Sequence, residues 1–115
     1  MAGNLFADLP VAKQAAERLE ILLARPGLRI ERIVSTGQAS PPGFWYEQAD
    51  AEWVVLLAGE ALLRFEDETE ARRLQAGDWL HIEPRRRHRV EWTIADTPSV
   101  WLAVHVTPGI KDGTV

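Results

Sequence analysis

The chain has 115 residues, of which 46% are hydrophobic, and 17 acids against 13 bases give it a net charge of −4. That is the length of one domain with enough apolar content to build a core unaided, so a disordered chain is excluded. The acid excess argues against a bulk nucleic-acid footprint, and no apolar run approaches the roughly 20 residues of a membrane span. The absence of cysteine rules out disulfides, thiolate metal sites and a cysteine nucleophile.

In chain order, "MAGNLFADLP" lacks the basic region and apolar core of a secretory signal, so a cytoplasmic location is expected. Asp8 can cap a helix, with Pro10 in its first turn. Val11, Ala15, Leu19, Leu22 and Leu23 then recur near helical spacing, and Pro26-Gly27 ends the segment. An N-terminal α-helix packed on a sheet is therefore expected within residues 1–27. After Gly27 everything reads as β. "LRIERIVS" (28–35) is a strand with loose alternation. "GQASPPG" (37–43) is a loop, because Pro41-Pro42-Gly43 cannot continue a ladder. "EWVVLLAG" is a buried strand and "EALLRFED" an alternating one, with a hairpin signal at Ala58-Gly59-Glu60 between them. "DETE" (67–70) is a turn, and "ARRLQ" leads to a second tight turn at "AGD" (76–78). "WLHIE", "HRVEW" and "VWLAVHV" are further strands, broken by "PRRR" and "ADTPS", and the tail "TPGIKDGTV" reads as loose. Seven or eight short strands at regular spacing predict an all-β sandwich or small barrel over residues 28–110, within a single domain.

Two spacings resemble the motifs of the cupin family, whose members are small double-sheet jelly-roll barrels (a double-stranded β-helix). That family's first motif has two histidines one residue apart, a glutamate three or four residues on, and a glycine after six more. Here Glu52, "WVVLLA" and Gly59 keep the last gap. The second motif runs from a glycine to a histidine. Here Gly77, "DWLHI", Glu83-Pro84-Arg85-Arg86-Arg87 and His88 keep that length. The resemblance covers roughly residues 28–106. The departures are equally specific. The first motif's histidines fall on Tyr46 and Gln48, or on Trp45 and Glu47, depending on the gap. In the second motif proline, glycine and asparagine have become Glu83, Arg85 and Trp92. Of the four ligand positions the resemblance implies, only Glu52 and His88 keep their residue type.

In unbroken alternation Tyr46, Gln48, Asp50 and Glu52 share a strand face. Gln48, Glu52 and His88 would make a sparse ligand set for zinc, iron, manganese or nickel. The alternative is a metal-free pocket in which these groups hydrogen-bond one another or water. His105 shares a face with Trp101 and Ala103, and could supply a nitrogen ligand if that face is the lumen. His81 reads as structural or surface. Trp45 and Tyr46 stand where aromatics wall a pocket, though core packing also explains them. Arg85 and Arg87 are either a solvated loop or a carboxylate or phosphate receptor beside the site. If the protein is an enzyme, Glu52 and His88 are the expected acid–base or ligand pair. The resemblance spans several reactions and selects none. The leading expectation is a barrel that binds a small polar or anionic molecule. The rival is a non-catalytic ligand sensor, or a structural dimer with a filled barrel. A homodimer is expected in either case, with "LRIERIVS" or the N-terminal "NLF" covering a sheet edge.

Overall fold

The computed structural model describes residues 2–108, and all of its regular structure is strand. The expected N-terminal helix is replaced by β1 (Arg18–Arg25), which turns at Pro26-Gly27 into β2 (Leu28–Ser35). Gly27 takes φ 79°, so the residues read as a helix stop close a hairpin instead. The apolar positions fit either period, since Leu19, Ile21 and Leu23 also alternate, and a bulge between Ile21 and Leu23 absorbs the extra leucine. Pairing decides the outcome. A helix over this segment would draw its stability only from packing one face, whereas β1 also satisfies the open edge of β2 by backbone hydrogen bonds. The preceding residues are irregular and tied down, with the Gln14 amide donating to Thr36 Oγ1 at 2.9 Å and Gln38 Nε2 donating to the Gln14 carbonyl at 2.8 Å.

The remaining strands follow the expected order: β3 (Ala51–Ala58), β4 (Glu60–Phe65), β5 (Arg72–Gln75), β6 (Trp79–Ile82), β7 (His88–Thr93) and β8 (Ser99–Val106). They form two antiparallel sheets, one ordered β1-β2-β8-β3-β6 and the other β5-β4-β7. The strand "LRIERIVS" thus lies between β1 and β8 and is no edge. The edges of the larger sheet are β1 and β6. The tail expected to be loose lies, from residue 109 on, outside the described residues.

The sheets close over Leu56, Ala61, Leu63, Phe65, Leu74, Trp101 and Ala103, all buried. The β3–β4 turn is held by Gly59 at φ 88°, where a Cβ would stand 2.2 Å from Ser99 Oγ. On the inner face of the larger sheet the register sets residues in rows. Ile33, Trp101 and Leu56 form one row, Glu31, Ala103 and Val54 the next, and Arg29, His105, Glu52 and Ile82 the last. The interior therefore changes from apolar to charged along the strands, and the charged end is where the site lies.

Candidate functional site

A cavity of about 180 Å³ opens between the sheets, with room for several waters. Glu52 of β3 reaches it from the larger sheet and His88 of β7 from the smaller one. His88 Nε2 stands 3.9 Å from Glu52 Oε1, and both side chains are nearly inaccessible to solvent. That separation is too long for a hydrogen bond and leaves room for an atom of a bound molecule. His88 Nδ1 lies 2.9 Å from the Arg86 carbonyl, which only accepts, so Nδ1 carries the proton and Nε2 presents a lone pair to Glu52. Burial, reinforced by the negative charge of Glu31, pushes the Glu52 carboxyl up to about 7. Burial also lowers the His88 imidazole below its usual range. Near neutral pH the site thus holds a carboxyl that can still give a proton facing an imidazole nitrogen that can take one.

Tyr46 is placed by a single backbone bridge to His88, with N–H···O distances of 2.7 and 3.1 Å, and its ring stacks on the imidazole at 5.5 Å. Tyr46 and Gln48 both line the cavity. Trp45 and Glu47 do not, which selects the three-residue gap of the first motif. The Gln48 carbonyl accepts from the Arg85 amide at 2.7 Å, so the loop that delivers His88 is pinned to the segment that delivers Gln48.

A second polar group was only partly legible beforehand. The face of β8 carrying Trp101 and Ala103 is the lumen, and it brings His105 inside. His105 Nε2 is 3.4 Å from Glu31 Oε2, and Arg29 Nε binds the same carboxylate through Oε1. Burial lowers the His105 imidazole, and its Nδ1 is buried without a partner. Arg29 and Glu31 sit two apart in "LRIERIVS", and alternate charges in an otherwise apolar strand are the signal that could have found them. Glu17, just before β1, lines the opposite end of the cavity. Its Oε2 is 3.4 Å from Ser35 Oγ, which also accepts from Trp101 Nε1 at 3.2 Å, and burial raises its carboxyl.

Three residues expected at the ligand lie outside the cavity lining. The ring of Trp45 lies beneath Arg64, Arg87 and Arg89, at 5.7, 5.9 and 5.8 Å. Arg87 binds Glu66 at 2.6 Å. Arg85 is exposed, in the left-handed region at φ 67°. Arg86 and Arg87 are drawn away from the barrel because each guanidinium finds an acid and a ring nearer to hand. Arg86, stacked 3.6 Å over Phe65, is the clearest case.

The donor set does not suit a divalent cation. Among the described residues no three His, Cys, Asp or Glu side chains converge to hold a metal. Glu52 and His88 make one pair, and Glu31 is engaged by Arg29 and His105 instead of standing free. Tyr46 and Gln48 occupy the positions where two further imidazoles would be needed.

The fold and motif spacing agree with comparisons to known proteins. The family model described as "Cupin domain" matches residues 32–105. No curated protein sequence matches. A crystal structure from Ralstonia eutropha JMP134, of a protein provisionally named a mannose-6-phosphate isomerase, is 50% identical with a TM-score of 0.90, over 93% of this chain and 98% of that one. A cupin protein from Bacteroides fragilis is 24% identical with a TM-score of 0.68, over 94% and 92% of the two chains. A cupin superfamily protein from Desulfitobacterium hafniense DCB-2 is 16% identical with a TM-score of 0.69, over 84% and 82%. With a family match spanning well over half its length and both motif spacings kept in one double-sheet barrel, the chain belongs to the cupin family.

Proposed function

We propose that the barrel binds a small polar molecule and moves a proton on it, with Glu52 as donor and His88 Nε2 as acceptor, without a metal. The observation that carries this is the 3.9 Å gap between a buried carboxyl pushed up to about 7 and a buried imidazole. One proton leaves Glu52 for the bound molecule and one leaves a neighbouring atom of that molecule for His88. The molecule is isomerised with no net redox change, and proton return from His88 to Glu52 resets the site. The provisional isomerase name of the 50% identical neighbour supports the same class of reaction.

The test is exchange of carbon-bound hydrogen in D2O, followed by NMR, over a panel of small hydroxycarbonyl compounds. Wild type should catalyse exchange on at least one, and Glu52→Gln and His88→Gln should each lower the rate about 10²-fold or more. If no compound either exchanges or raises the melting temperature, the reading fails.

We further propose a homodimer formed through the outer face of the larger sheet. The register sets Leu23, Ile30, Val104 and Trp53 in one row across that face, with Trp79 at its β6 edge and 59% exposed. We also propose a cytoplasmic location.

A further inference from the structure

We infer that this cavity takes an uncharged, hydroxyl-rich molecule and rejects anions, an inference that rests on the barrel being a binding site. Three acidic side chains line it, Glu17 at one end and Glu31 and the proton-holding Glu52 at the other. They face a single guanidinium, Arg29, whose Nε is already committed to Glu31. The two imidazoles are held neutral by burial, so they do not offset the acids.

The other arginines beside the His88 loop are held elsewhere, except Arg85, which is exposed and outside the cavity lining. Arg87 holds Glu66, Arg86 holds Asp67 and Glu68, and Arg89 donates to the carbonyls of Ser40, Pro41 and Phe44. An oxyanion entering the cavity would leave water to meet acidic side chains in a poorly screened space, with Arg29, already bound to Glu31, as the one cation in the lining to offset the penalty. A molecule bearing hydroxyls meets the opposite situation. Its O–H groups donate to Glu17 and Glu31, and its oxygens accept from the Tyr46 hydroxyl and the Gln48 amide. Its C–H faces lie against Ile33 and Trp101. His105 Nδ1, buried and unpaired, is a further acceptor beside the same end.

This separates the chain's ligand from the phosphorylated sugar in its neighbour's provisional name. The test is equilibrium binding, with thermal shift in parallel, over matched sets: free hexoses and pentitols, their phosphate esters or acid forms, and simple amines of similar size. Wild type should bind at least one uncharged polyol ten times more tightly than its phosphate ester. Glu17→Gln, isosteric and at the cavity's far end from Arg29, should narrow that ratio by improving the ester. Equal or tighter binding of the ester to wild type overturns the inference and leaves barrel binding standing. Binding of amines alone does the same. A panel in which nothing binds overturns both.

Discussion

Between pH 4.5 and about 7 the folded chain keeps a proton on Glu52 that the unfolded chain has released. The native state then binds more protons than the unfolded state, so Glu52 makes stability fall as pH rises through that window. The full effect is on the order of 3 kcal/mol, since 1.36 kcal/mol accompanies each pH unit of difference. His88 and His105 act the other way. Their folded affinity for protons lies below the ordinary value of 6.5, so the stability they contribute is present above that value and is lost on acidification. Glu52→Gln mimics the protonated carboxyl. Urea unfolding of this variant should show little change from wild type at pH 5 and a gain of about 2–3 kcal/mol at pH 8. A stability difference between Glu52→Gln and wild type that is the same at pH 5 and pH 8 would remove the case for a proton held on Glu52. Gly59 carries a second prediction at this scale. Gly59→Ala at φ 88° drives a methyl into Ser99, and should cost about 2–4 kcal/mol by the same measurement.

The strands were legible where local signals agreed. "EWVVLLAG" and "EALLRFED" alternate around a glycine whose positive φ the turn needs, and "AGD" closes as read, with the Gln75 amide bound to Asp78 Oδ2 at 2.8 Å. β1 was not legible, because its leucines fit both periods and the deciding factor is the edge of β2, which no window of sequence contains. Far-UV circular dichroism checks this directly: the spectrum should lack the helical minima that a helix from Pro10 to the Pro26-Gly27 turn would add. The site divides along the same line. Glu52 and His88 follow from spacing along one chain. The pairing of His105 with Glu31 and Arg29 depends on which face of β8 turns inward, a property of the assembled sheets. Arg85 and Arg87 lie close to His88 in sequence, but in the turn and link before β7, where Arg85 is exposed and Arg87 is held by Glu66.

For the molecule as a whole, the distribution of tryptophan matters most. Trp101 is buried in the core, Trp45 lies under guanidinium groups, and Trp53 and Trp79 face each other at 6.0 Å on the outer surface. If that surface is an interface, Trp79→Glu should convert a dimer to a monomer in analytical ultracentrifugation, with the Glu52 titration unchanged. A wild type that sediments as a monomer at all concentrations removes the interface.

The gap between Glu52 and His88 spans two sheets that share no hydrogen-bonded strand pairing with each other. At the mouth its walls are tied by the Tyr46–His88 bridge and the Arg85–Gln48 backbone bond. Deeper in, its width depends on the side chains packed between the sheets, among them Leu63, Phe65 and Trp101. The gap therefore works as a calliper on the core, and the proton equilibrium across it reads that calliper. Substitutions deep in the apolar end, far from any bound molecule, would retune the acidity of the site by changing how far apart the two walls stand.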